Sequence, residues 1–103
     1  MTTIGRKVVI QELLQEKREE ILGLARKYGA RDIRVFGSAA RGEADDRSDI
    51  DFLVNMEPGR SLLDLGGLLM DLRALLGCEV DVVTERGLKK RIRDRVLREA
   101  VQL

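Results

Sequence analysis

The sequence predicts a layered α/β (α+β) domain in which helices flank one small mixed sheet. Three segments repeat apolar residues at helical spacing, and three shorter segments show the alternating or β-branched pattern of strands. These segments follow one another in the order helix, strand, strand, helix, strand, helix. The 103 residues fit a single domain, residues 1–103.

Three helices are predicted from apolar periodicity and from the residues that suit helix ends. The first covers Val8 to Tyr28 and is followed by Gly29, which suits a left-handed end. The second follows Ser61, a plausible N-cap, and reaches about Leu76. The third begins after Gly87 and continues towards the C-terminus.

The second predicted helix is unusual because it is rich in leucine and contains the pair Gly66-Gly67. Each interior glycine costs about 1 kcal/mol relative to alanine, so the pair suggests close packing against another element. The leucines cover more than one face of the helix. The surplus apolar surface is explained equally well by a wide core helix and by contact with a partner.

Three strands are predicted at Asp32–Phe36, Ile50–Val54 and Glu79–Val83. Residues 39–48 are small and charged without hydrophobic period, which predicts a loop containing at most one helical turn. A short additional strand near either terminus is compatible with the pattern.

The charge balance argues against a general electrostatic grip on nucleic acid. Nineteen basic and eighteen acidic residues leave a formal charge of +1, and aromatic residues for base stacking make up only 3%. Basic residues cluster near the C-terminus, at Lys89, Lys90, Arg91, Arg93, Arg95 and Arg98. Asp94 and Glu99 interrupt this cluster, which favours a solvated helix face.

The absence of histidine excludes Ser-His-Asp and Cys-His catalysis. The single cysteine, Cys78, allows no internal disulfide, so we expect a reducing, cytoplasmic setting and a small buried thiol. Met1 to Gly5 lack the apolar core of a signal peptide, and no segment has the length of a membrane-spanning helix.

The most informative motif is Asp49-Ile50-Asp51 at the start of the second strand. Residues two apart on a strand face the same way, so the two carboxylates would stand side by side. Folding gains nothing from this repulsion, whereas Mg²⁺ prefers such oxygen ligands. Taken alone, an exposed strand face that carries two solvated acids explains the motif better.

Two further features suggest a site at the same place. Gly37-Ser38 follows the first strand, where backbone N–H groups and the hydroxyl could hold phosphate oxygens, although a simple turn explains it as well. Asp81 interrupts an apolar strand. It would join Asp49 and Asp51 if that strand lies beside the second one, and would face solvent if it is an edge position.

Taken together, these motifs resemble the polymerase-β-like nucleotidyltransferases. The stretch VFGSAARGEADDRSDIDFLV is similar to that family's Gly-Ser, loop and Asp-x-Asp signature, and VDVVTERGL resembles the strand with its third acid. The size, Arg41-Gly42 and the ending LREAV are similar to minimal nucleotidyltransferases (MNT), the antitoxins of HEPN-domain toxins. Relatives often carry a tyrosine near the C-terminus, where this chain has Gln102.

The resemblance implies a reaction in which AMP passes from ATP to a tyrosine of a HEPN ribonuclease toxin in a hetero-oligomer, with two Mg²⁺ ions. Asp49, Asp51 and Asp81 would bind the metals, and Asp81 would also act as the base. Gly37 and Ser38 would bind the donor phosphates. Arg41 would neutralise the triphosphate, although an ion pair with an acid of its own loop is equally compatible.

Three alternatives remain at this point. The chain could neutralise its toxin by contact without catalysis, or transfer nucleotides to a small molecule, although such enzymes usually carry an additional helical domain. A stand-alone nucleic-acid-binding protein is the weakest alternative, since the chain has one tyrosine and almost no net charge.

Overall fold

The computed structural model describes residues 6–41 and 49–103. In that part of the chain it contains four helices and four strands: α1 (Arg6–Glu16), α2 (Arg18–Lys27), β1 (Arg34–Phe36), β2 (Ile50–Val54), α3 (Leu62–Leu76), β3 (Val80–Thr84), α4 (Lys90–Glu99) and β4 (Val101–Gln102). Among these helices, none is long and apolar enough to cross a membrane. The predicted element order is confirmed.

The four strands form one mixed sheet in the order β3-β2-β1-β4. β2 pairs in parallel with β3, whereas β1 is antiparallel to both β2 and β4. The short β4 is an additional strand at the C-terminus, and β3 forms the opposite edge of the sheet. Because β1 and β2 run in opposite directions, β1 ends where β2 begins.

The two faces of the sheet differ in chemistry because successive side chains of a strand alternate between them. Val35, Phe52 and Val82 are paired across three strands and belong to the buried core. Ile21 of α2 and Leu72 of α3 complete this core, and each is fully buried. Burial of a large apolar side chain stabilises the fold by about 1.5–3 kcal/mol, so this face provides most of the stability.

The first predicted helix is interrupted, which corrects the prediction of one helix over residues 8–28. α1 ends at Glu16 and α2 begins at Arg18. The Lys17 N–H still donates to the Leu13 carbonyl at 2.9 Å, so the interruption is a local bend. The sequence gives no sign of it because lysine is a good helix former.

The predicted ends of α3 are confirmed. Ser61 caps the helix by accepting a hydrogen bond from the Leu63 N–H at 3.1 Å, while the Ser61 N–H donates to the Asp64 carboxylate at 3.0 Å. That backbone hydrogen bond lowers the pKa of Asp64. Gly77 ends the helix in the left-handed conformation, with φ 68°. Cys78 is half-buried, which corrects the prediction of a buried thiol.

The glycine pair of α3 consists of two positions in different surroundings. A Cβ built on Gly67 would lie 2.5 Å from the Tyr28 ring, whereas a Cβ on Gly66 meets nothing within 4 Å. The Tyr28 hydroxyl donates a 2.6 Å hydrogen bond to Asp71, which holds the ring against α3. Close packing therefore explains Gly67 and does not explain Gly66.

The leucines of α3 divide in the same way between core and surface. Leu68 and Leu72 are fully buried, whereas Leu62 and Leu63 in the first turn are 84% and 87% exposed. The wide apolar helix is thus partly core and partly exposed surface.

A polar cluster stands on the other face of the sheet. Arg34 of β1 forms an ion pair with Glu85, whose carboxylate also accepts a 2.8 Å hydrogen bond from Asn55. Arg93 of α4 lies 3.9 Å from the same carboxylate. The Arg34 and Glu85 side chains are only 15% and 19% exposed. The hydrogen bond from Arg34, followed by that from Asn55, lowers the pKa of Glu85.

The contrast within the glycine pair generates a stability prediction. Gly66→Ala should raise the free energy of unfolding by up to about 1 kcal/mol, because alanine favours the helix. Gly67→Ala should lower it by about 1–3 kcal/mol, because its methyl group would overlap the Tyr28 ring. Urea denaturation followed by circular dichroism measures both. Equal effects of the two substitutions would contradict the packing described here.

A second prediction concerns the pH dependence of the Glu85 contribution. Glu85→Gln should lower the free energy of unfolding at neutral pH by about 1–3 kcal/mol. The pKa of Glu85 is lower in the folded chain, so its contribution is complete above the unfolded-state pKa and is lost as pH falls through the folded-state pKa. The difference between native protein and variant should therefore shrink from about pH 5 towards about pH 3.

The control for this measurement is Glu19→Gln, which removes an exposed ion pair with Arg18. Its effect should stay below about 1 kcal/mol at every pH. A loss in Glu85→Gln that remains constant through this pH range would show that the carboxylate charge is not what stabilises the cluster.

Candidate active site

The pairing of β2 with β3 brings two of the predicted carboxylates together. Asp51 lies directly opposite Asp81 in the parallel register, so both side chains project from the same face of the sheet. Asp51 is half-buried, whereas Asp81 is exposed because β3 is an edge strand. Asp81 is therefore an exposed residue of an edge strand and also the neighbour of another acid.

Asp49 lies immediately before β2 and is exposed. The next residue, Ile50, donates its N–H to the Glu79 carbonyl at 3.0 Å, which fixes the start of β2 beside the segment that leads into β3. The Asp49 charge is close enough to act on Asp51. Three acids therefore occupy the same end of the β2–β3 pair.

The surroundings of Asp51 disfavour its charged form. Burial raises the pKa of Asp51, and the negative charges of Asp81 and Asp49 raise it further. Such a carboxylate becomes more stable when a cation or a proton shares its site. Within the described residues, however, no group of three acidic or cysteine side chains is already arranged around a common position in which a metal ion could bind.

Gly37 is placed against the Asp51 carboxylate. It ends β1 with φ 74°, a conformation that glycine adopts readily, and a Cβ built there would lie 2.7 Å from Asp51 Oδ2. Arg41 N–H donates to the Gly37 carbonyl at 3.1 Å, so one turn of chain follows the glycine, as predicted. Ser38, inside this turn, is half-buried.

The position of Arg41 depends on a residue that the sequence reasoning missed. Arg41 Nη1 lies 3.3 Å from the Glu99 carboxylate at the end of α4, and Glu99 also pairs with Arg95 at 3.4 Å. Fifty-eight positions separate Arg41 from Glu99, and no local pattern signals such a contact. The loop acids considered as partners for Arg41, Glu43 and Asp45, lie outside the described residues.

Comparison with known proteins identifies the family to which this chain belongs. The family model of the nucleotidyltransferase domain matches residues 12–103. Protein adenylyltransferase MntA of Thermococcus cleftensis is 45% identical over 92 residues, which cover 89% of this chain and 90% of that protein.

Two solved structures extend the comparison to the fold. A candidate minimal nucleotidyltransferase has 53% identity and a TM-score of 0.83, with 89% of this chain and 94% of that chain covered. A toxin–antitoxin crystal structure with AMP-PNP has 26% identity and a TM-score of 0.70, with 82% and 69% covered. The chain belongs to the nucleotidyltransferase domain family and has the polymerase-β-like fold of its minimal members.

Proposed function

We propose that this chain transfers AMP from ATP to a tyrosine hydroxyl of a HEPN-domain toxin and thereby acts as its antitoxin. The observation that carries the proposal is the placement of Asp51 between Asp81 and the Gly37 turn. A relative named as a protein adenylyltransferase supports the reaction, and a similar fold in a toxin–antitoxin structure with AMP-PNP supports nucleotide and partner.

Asp49, Asp51 and Asp81 would hold Mg²⁺ in this proposal. Their oxygens are the donors that Mg²⁺ prefers. Burial raises the pKa of Asp51, the charges of Asp81 and Asp49 raise it further, and a cation would offset both effects. A small movement of Asp49 or of the exposed Asp81 would complete the set of ligands. Bound Mg²⁺ would supply charge neutralisation of the donor triphosphate.

The turn after β1 would hold the donor phosphates. Backbone N–H groups and a hydroxyl at Gly37 and Ser38 are suited to phosphate oxygens, and the missing side chain of Gly37 leaves the approach to Asp51 open. Arg41 would neutralise the triphosphate as a guanidinium oriented by Glu99. The β- and γ-phosphates would leave as pyrophosphate.

Asp81 would accept the proton of the attacking hydroxyl. A bond forms between the tyrosine oxygen and the α-phosphorus, the bond from that phosphorus to the bridging oxygen breaks, and the tyrosine proton passes to the Asp81 carboxylate. The exposure of Asp81 on an edge strand suits an acceptor carried by another protein, because a bulky partner can approach that side of the sheet.

The test of the proposal is a double substitution. Asp49→Asn with Asp51→Asn should reduce transfer of labelled AMP to the partner toxin by at least about 100-fold, because the metal ligands are lost. Transfer by the native protein should require Mg²⁺. Autoradiography of the toxin measures transfer, and ribonuclease activity of the toxin measures neutralisation.

The matched control is Asp94→Asn, which removes an exposed acid from α4 and should leave transfer unchanged.

The exposed Leu62 and Leu63 favour a second candidate function, in which the chain neutralises the toxin by contact. Undiminished neutralisation by the double variant without transfer would establish that second function and refute the first.

A further prediction isolates the contact between Gly37 and Asp51. Gly37→Ala and Gly77→Ala both place alanine at positive φ, so each should lose about 1–2 kcal/mol of stability. Only Gly37→Ala brings a methyl group against Asp51, and it alone should reduce AMP transfer by at least about ten-fold. Equal transfer by the two variants below their melting temperatures would contradict the role of this contact.

A further inference from the structure

A cleft of about 650 Å³ lies at the end of the sheet opposite the carboxylates. It is lined by the segment after β2, by the turn after β3 and by the residues before β1, among them Arg31, Asn55, Arg60, Thr84 and Arg86. Asn55 lies four residues beyond Asp51, about 13 Å along the strand, so this far-end cleft is separate from the candidate active site.

The cleft opens beyond the carboxyl ends of the parallel strands β2 and β3. Ligands of α/β sheets often bind beyond the carboxyl ends of parallel strands, because the connecting loops there diverge. Its volume is in the range of pockets that take nucleotide-sized molecules.

Arg60 is fixed at one wall of the cleft. Its guanidinium lies 3.5 Å from Glu57 and 3.3 Å from Asp64. Its side chain also crosses Gly29, where a Cβ would lie 2.2 Å from Arg60 Nε. The charge of Arg60 is therefore balanced within the protein, and its position is set by three contacts.

Arg31 and Arg86 differ from Arg60 because neither forms an ion pair or a side-chain hydrogen bond with the described side chains, those of residues 10–41 and 49–103. Both are exposed, and they reach the same cleft from chain segments that precede β1 and follow β3. Of the two acids that line the cleft, Glu57 pairs with Arg60, whereas Asp32 accepts a 3.2 Å hydrogen bond from the neutral Asn55 amide. With three arginines and two acids in its lining, the cleft has a net charge of +1, and two of the arginines have no acidic partner.

We infer that the far-end cleft is a second binding site and that it binds the phosphate groups of a nucleotide or of a free polyphosphate. Guanidinium groups match phosphate oxygens in both geometry and charge. Arg31 and Arg86 supply guanidinium groups that have no acidic partner, while the anchored Arg60 gives the site a fixed wall. This inference is independent of the function proposed above, because it involves none of the same residues.

The test is a titration of labelled native protein by ¹H–¹⁵N NMR with pyrophosphate, ADP and adenosine in the presence of EDTA. Removing divalent cations suppresses metal-dependent binding at the aspartates, and the amide signals report which end of the sheet responds. Pyrophosphate or ADP should shift the amide signals of Arg31, Asn55 and Gly59 saturably, and adenosine should not. If ADP binds more tightly than pyrophosphate, the ligand of the cleft is a nucleotide. If ADP binds no more tightly than pyrophosphate, the ligand is a free polyphosphate.

The decisive variant is Arg31→Gln with Arg86→Gln. It should raise the Kd for pyrophosphate by at least about ten-fold. Arg26→Gln removes an exposed arginine from α2, away from the cleft, and should change the Kd for pyrophosphate by less than about two-fold. The inference is overturned if these amide signals do not shift, if adenosine binds as well as ADP, or if the double variant binds like the native protein.

Discussion

The parallel pairing of β2 with β3 is the constraint on which the rest of the structure depends. Its register sets Asp51 opposite Asp81 on strands that lie about 5 Å apart, which places like charges side by side. Val80 and Phe52, on the other face of the same strands, are buried and supply the apolar contacts that hold this register. One face of the pair thus stabilises the fold, and the other keeps a repulsive arrangement that a bound cation would make favourable.

The antiparallel direction of β1 determines which end of the sheet carries the Gly37 turn. Because β1 ends beside the start of β2, the Gly37 turn and the paired acids meet at one end of the sheet. The C-terminal helix reaches the same end through the ion pair between Glu99 and Arg41. The opposite end carries arginines that have no acidic partner, so the two ends of the sheet offer different ligand chemistry.

The sequence predicts the parts of this structure that depend on local signals. Apolar alternation identifies β1, Ser61 and Gly77 mark the ends of α3, and the Asp-x-Asp spacing predicts that Asp49 and Asp51 stand together. The bend at Lys17 was not predictable, because lysine itself favours a continuous helix. The contacts of Arg41 with Glu99 and of Gly67 with Tyr28 were not predictable either, because they join residues far apart in sequence and depend on tertiary packing.

The central claim is that Asp49, Asp51 and Asp81 act as one cation site together with a bound nucleotide. Carbon-13 NMR of the aspartate carboxyl groups tests this directly, with Mg²⁺ added in the presence of a non-hydrolysable ATP analogue. The three carboxyl signals should shift together and saturate together, while the signal of Asp94 stays in place. An Asp81 signal that does not respond while Asp49 and Asp51 do would contradict the claim.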